Sequence, residues 1–203
     1  EALAGLREAG VDVGGVRRSE AETGVALITV DAAGENEIVV APGANLHLEP
    51  GDVVLPEADG VLCQQEIPAA AVDRAAELAR GRFYLNAAPA RHETPEADLT
   101  IVNHYELEAL LGWRGLVCVT NGAEGAVLLD EGEEIARAEP PPVEAVDGTA
   151  AGDAFAACLV VSLLEGRERE ESLRRACAAG ALAASRLGAQ PSLPTAEEVD
   201  ALL

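Results

Sequence analysis

Gly60-Val-Leu-Cys-Gln64, the run from Pro68 to Arg80, and Phe83-Tyr-Leu-Asn86 decide how this chain folds. The outer two are short apolar runs bounded by turn residues, as buried strands are. The middle one opens with Pro and repeats its apolar positions at helical spacing. Strand, helix, strand is the unit from which parallel sheets are made. Downstream the pattern continues with a strand at Leu99-Thr-Ile-Val102, a short helix from Glu106 to Leu111, and a strand at Leu116-Val-Cys-Val-Thr120 that ends in Asn121-Gly122. A further strand, Ala126 to Leu129, has its own turn at Asp130 to Gly132. Past the Pro140-Pro-Pro142 breaker, two Ala- and Leu-rich stretches, Asp153 to Leu164 and Ser172 to Arg186, read as helices.

Upstream, Gly24 to Val30 and Glu37 to Ala41 are β-rich runs joined by Asp31 to Asn36, the signature of a hairpin. The hairpin is expected to be the only antiparallel addition. Ala2 to Ala9 reads as a helix tail stopped by Gly10. Together these readings predict an α/β domain with a mostly parallel sheet and helices on both faces.

Composition narrows the function. The 203 residues are 49% hydrophobic and 25% charged, enough apolar matter for a substantial core. Acidic residues outnumber basic ones 36 to 14, and a formal charge of −22 repels phosphate backbones and anionic lipid heads. Nucleic-acid and membrane roles are therefore not expected. No apolar run approaches the roughly 20 residues that span a bilayer, and Glu1 to Gly10 has no basic and then apolar leader pattern. Cys63, Cys118, Cys158 and Cys177 form no CxxC pair, which argues against zinc and for buried thiols in a reducing cytoplasm.

The chemistry concentrates in Asp147-Gly-Thr-Ala-Ala-Gly-Asp153. Small residues lead directly into a helix, so free backbone N–H groups at its first turn make an anion site. Asp153 stands where the helix dipole keeps a carboxylate ionised, and a base beside an anion hole suits phosphoryl transfer to a hydroxyl. The same pattern also serves as an ordinary helix cap. Thr120-Asn-Gly-Ala-Glu-Gly125 is a turn with two glycines that can bring backbone donors close to an anion, or an ordinary turn.

These motifs resemble those of the ribokinase-like (PfkB) sugar kinases, whose carboxy-terminal signature has the form Asp-Thr-x-(Gly/Ala)-Ala-Gly-Asp. Gly148 stands where the family usually has Thr. Thr23-Gly-Val-Ala-Leu-Ile28, Gly34-Glu-Asn36, Pro42-Gly-Ala-Asn45, Leu85-Asn-Ala-Ala-Pro-Ala-Arg91 and Gly188-Ala-Gln-Pro-Ser192 extend the resemblance over almost the whole chain. It implies a three-layer ribokinase-like domain over 1–203, with residues 23–45 as a small β lid. It further implies ATP-dependent phosphorylation of the primary hydroxyl of a pentose, D-ribose to D-ribose 5-phosphate. Other members phosphorylate nucleosides or 2-keto-3-deoxy sugar acids, and a non-catalytic nucleotide-binding homologue is the alternative of another class.

Carried over position by position, the resemblance makes Asp153 the catalytic base and a sugar contact, with Ala150, Ala151 and Gly152 as the anion hole. Nucleotide contacts fall on Asn103, Thr120, Asn121, Gly122, Glu124, Gly125, Gly152 and Cys177. Glu106 would hold Mg²⁺ through water, which suits an ion that dehydrates reluctantly. Asp147 and Thr149, with Ala183, Arg186, Gly188 and Ser192 mostly through carbonyl oxygens, would hold K⁺. Glu66 would touch a sugar hydroxyl. His104 and Tyr105 replace the Glu and Thr usual after the family's Asn. His104, His92 and His47 otherwise read as surface residues.

The family also begins with a strand bearing a sugar-binding Asp and a Gly-Gly segment, so the domain is expected to be incomplete at its N-terminus. The family's further helix near Gly112 to Arg114 has no room in so short a connection. Homodimer contacts through the lid would use Val25, Leu27 and Val39.

Overall fold

A computed structural model describes residues 3–30, 36–110 and 113–203. Its order is α1 (Ala4–Glu8), β1 (Val25–Val30), β2 (Asn36–Ala41), β3 (Gly60–Gln64), α2 (Ala69–Leu78), β4 (Arg82–Asn86) and β5 (Leu99–Asn103). There follow α3 (His104–Ala109), β6 (Leu116–Thr120), β7 (Ala126–Asp130), β8 (Glu133–Ala138), α4 (Ala151–Leu164), α5 (Arg169–Ala184) and α6 (Ala196–Leu202). β3 to β8 form a six-stranded sheet in sequence order, and β1 and β2 form a separate two-stranded sheet.

The three layers follow from alternation along the strands. Tyr84, Ile101, Cys118 and Leu128 point to one face, where Phe155, Leu159 and Val160 of α4 and Leu173, Ala176 and Cys177 of α5 cover them. Phe83, Leu85, Val102, Val117, Val119 and Val127 point to the other, against Val72 and Ala75 of α2 and Leu107 of α3. Burial on both faces explains why β5 and β6 read as continuous apolar runs.

β3, β4, β5 and β6 are parallel, and the hairpin β1–β2 is antiparallel as expected. It is not the only antiparallel addition, however. β7 runs antiparallel to β6, and β8, for which the sequence predicts no element, runs antiparallel to β7. The reason is composition: Glu133-Glu-Ile-Ala-Arg-Ala138 is a mostly exposed edge strand with three charged side chains, a usual way to blunt an edge.

Helix boundaries differ in ways that matter for the site. α3 begins at His104, two residues early, because Asn103 accepts the Glu106 N–H while Glu106 accepts the Asn103 N–H. α4 begins at Ala151, so Asp153 lies within its first turn and not before it. α5 runs from Arg169 to Ala184, and α6, capped by the reciprocal bonds of Thr195 and Glu198, was not anticipated. The turn expected over Asp31 to Asn36, with its Gly34-Glu motif, and the end of the expected helix at Leu111 lie largely outside the described residues.

Candidate active site

Because β3 to β6 run parallel, their C-terminal ends share one sheet edge, with Gln64 beside Asn86 and Asn103 beside Thr120. This is the edge at which open α/β sheets receive ligands. Beyond it lies a cavity of about 510 Å³, bounded by the turn after β6, the proline linker, the start of α4 and one face of α5.

The turn after β6 is fixed by its glycines and by backbone bonds. Asn121 N–H donates to Gly125 O at 2.8 Å, and Glu124 N–H to Asn121 O at 3.0 Å. Gly125 has φ +90°, and a Cβ there would come within 2.0 Å of Ala138 O, so only glycine lets the turn lie against β8. Thr120 Oγ1 donates to Val102 O at 3.3 Å, tying the turn to β5. Thr120, Gly122 and Gly125 line the cavity. Asn121 and Glu124 belong to the same turn without lining it.

Opposite stands the entry to α4. Ala150 is held at φ 61°, ψ 5°, a left-handed conformation uncommon outside glycine and of a kind that gathers at functional sites. Ala151 N–H donates to Gly148 O at 3.2 Å. Of the donors at this entry, those of Gly152 and Asp153 find no acceptor among the described residues, and Gly148, Ala151 and Gly152 line the cavity. The Asp153 carboxylate is exposed and makes no hydrogen bond or ion pair among the described residues.

Asp147 secures this entry from behind. Its Oδ1 accepts from Thr149 N–H at 2.9 Å and Thr149 Oγ1 at 2.6 Å, and its Oδ2 accepts from Gly188 N–H at 2.9 Å. Those bonds, the Thr149 hydroxyl first, hold the carboxyl below its ordinary value. Val146 and Asp147 N–H both donate to Ala184 O, at 2.8 and 3.0 Å. The segments around Asp147 and Gly188 are therefore in contact, with an ionised carboxylate between them.

The remaining residues singled out from sequence separate into those that join the site and those engaged elsewhere. Cys177 lines the cavity, and burial pushes its thiol up to about 11, so it is a neutral wall. Asn103 sits beside Thr120, neither it nor Glu106 lines the cavity, and one Glu106 oxygen is already spent on the cap. Arg186 pairs through its guanidinium with Glu198 on α6, and Ala183 O accepts from Arg186 N–H. Ser192 is buried, its hydroxyl donating to Ala189 O at 2.7 Å. Glu66 is exposed just past β3, at the same edge, with β4 and β5 between that strand and β6.

Sequence reading did not single out Pro141, Val143, Ala145, Gly180, Ala181 or Ala184, all of which line the cavity. The proline run was the one available signal, since a stiff linker between β8 and α4 has to pass over something. The α5 residues gave none, because small side chains on a helix read simply as packing.

The profile of the pfkB family carbohydrate kinases matches residues 1–196. The chain belongs to that family of sugar kinases. Among its relatives, the ribokinase of Bacillus subtilis is 35% identical over 204 residues, a match covering 90% of this chain and 69% of that one. The crystal structure of ribokinase from Thermotoga maritima superposes with a TM-score of 0.86 at 33% identity, covering 99% of this chain and 75% of the other. Ribokinase from Arabidopsis thaliana, complexed with ribose and ATP, matches with a TM-score of 0.78 at 28% identity, covering 90% of this chain and 70% of that one.

Proposed function

We propose that the protein transfers the γ-phosphoryl group of ATP to the primary hydroxyl of a pentose, with D-ribose as the acceptor and D-ribose 5-phosphate as the product. The reading rests on an exposed Asp153 carboxylate with no partner among the described residues, beside N–H donors of Gly152 and Asp153 that likewise have none there, next to a cavity of about 510 Å³ that Gly152 lines. The ribokinase relatives supply the acceptor.

In this reading the sugar hydroxyl oxygen attacks the γ-phosphorus while its proton passes to Asp153. The bond from that phosphorus to the bridging oxygen breaks, and ADP leaves. Donors at the start of α4 stabilise the charge on the moving group, where the dipole of a 14-residue helix adds to them. The apolar cavity between the proline linker and α5 takes the base of the nucleotide, and the turn Thr120–Gly125 its phosphates. Glu66 contacts a hydroxyl of the sugar.

Glu106, one of whose carboxylate oxygens is not used by the cap, would hold Mg²⁺ through water, and Asn103 fixes Glu106 through the cap. Mg²⁺ there would neutralise phosphate charge. No group of three His, Cys, Asp or Glu side chains gathers among the described residues, which agrees with a cation held largely by non-protein ligands. The joined segments around Asp147 and Gly188 fit a K⁺ held by carbonyl oxygens and one carboxylate. Residues 23–45 form the lid and pair two copies of the chain. Four free thiols suit an enzyme of the reducing cytoplasm.

An acceptor panel tests the reading. ADP release is measured with D-ribose, 2-deoxy-D-ribose, D-fructose, a ribonucleoside and a 2-keto-3-deoxy sugar acid. Ribose is expected to give the highest kcat/KM. A ribonucleoside or the sugar acid outperforming it would reassign the acceptor.

A further inference from the structure

The segment Ala87–Arg91 has no part in the site described above, yet its last residue reaches back over the sheet edge. Arg91 Nη2 donates to Gln65 O at 2.7 Å and to Ile67 O at 2.6 Å, the carbonyls on either side of Glu66. Gln65 N–H donates to Ala88 O at 3.1 Å, and Glu66 N–H to the Gln64 side-chain oxygen at 2.6 Å. The backbone around Glu66 is thus gripped on every side, while its carboxylate is exposed and unpaired among the described residues.

The grip is chemically unusual. Arg91 forms no ion pair among the described residues, and its Nη1 is buried without a partner, as is Oε1 of Gln65, a residue only 2% exposed. Holding a half-buried guanidinium with one nitrogen fully buried and no counter-ion is costly, and two carbonyl bonds offset only part of that cost. Joining β3 to α2 does not require it, since Pro68 already starts the helix and Ala88 already pairs with Gln65. What the guanidinium adds is a fixed distance between the two carbonyls that flank one exposed carboxylate.

We propose that Arg91 is a positioning residue that sets the carboxylate of Glu66 for the sugar acceptor. This rests on the reading of Glu66 as a sugar contact. Arg91 touches neither sugar nor nucleotide, and its planar donors act through the Gln65–Ile67 backbone.

The test is a double-mutant cycle of R91A and E66Q in ribose and ATP kinetics, with R91K as the conservative variant and melting temperature as the folding control. R91A is expected to raise KM for ribose about tenfold, the scale of lost charge-assisted hydrogen bonds, with KM for ATP unchanged. It should add nothing in the E66Q background, and R91K should recover part of the loss. An equal rise in both backgrounds, a parallel rise in both KM values, or no rise would overturn the proposal.

If E66Q itself leaves the ribose KM unmoved, or the wild type turns over no ribose, the reading of Glu66 or of the acceptor fails instead. Amide hydrogen exchange then decides for Arg91. Faster exchange confined to Gln64–Ile67 in R91A supports the grip, and unchanged exchange there overturns it.

Discussion

Asp147 shows how one side chain can organise a site without touching a substrate. Its carboxylate accepts three hydrogen bonds, two from Thr149 and one from Gly188, and these depress its pKa. A group with a lowered folded pKa contributes stability above its unfolded value, near 3.8, and loses it as pH falls through the folded value. The wild type should therefore lose melting temperature relative to Asp147→Asn as pH is lowered from 5 toward 2.5. The gap between them is widest near neutrality. Melting curves across that range check it, and a constant gap would show that the Asp147 bonds carry no charge-dependent stability. Gly148, where the family usually has Thr, lines the cavity with no side chain in the way, and nothing in the structure explains the exchange.

Among the elements, the pairing of α4 with α5 shapes the cavity, and Gly180 sets their distance. A Cβ at Gly180 would lie 3.2 Å from Ala151 O and 3.5 Å from Phe155 Cβ, so a larger residue pushes α5 away from the start of α4. Gly180→Val is expected to cost about 1–3 kcal/mol of stability, the usual range for overpacking. If that cavity takes the nucleotide as proposed, the substitution should also weaken ATP binding more than sugar binding, because Ala151 and Gly180 both line it. Denaturation and ATP titration check both effects, and an unchanged ATP affinity would separate the packing from the site.

The elements also show what could be read in advance. β3 to β7 were legible because strands covered by helices leave apolar runs, and α2 because an amphipathic helix leaves a period. β8 was not, because an exposed edge strand is written in charges. α6 had a readable cap in Thr195-Ala-Glu-Glu198, but its seven residues bury only Val199, too little to leave a periodic stripe. The α4 entry was legible as a motif, while its geometry was not. Ala150 adopts the left-handed conformation that glycine would have announced.

On the scale of the whole molecule, the hairpin β1–β2 projects as a sheet of its own, with Val25 53%, Leu27 66% and Val39 61% exposed. If these side chains join two lids as proposed, Leu27→Glu with Val39→Glu should turn a dimer into a monomer in sedimentation, with the melting temperature of the α/β domain little changed. A wild type that sediments as a monomer at all concentrations would remove the dimer. If one edge of the sheet assembles a phosphoryl-transfer site around Asp153, ribose-dependent ADP formation by wild type and Asp153→Asn at saturating ATP and ribose reports it. The substitution keeps the shape and removes the base, so turnover should fall by roughly 10²–10⁴ while ATP affinity stays the same. Equal turnover in the two proteins would remove Asp153 from the chemistry and place the base elsewhere.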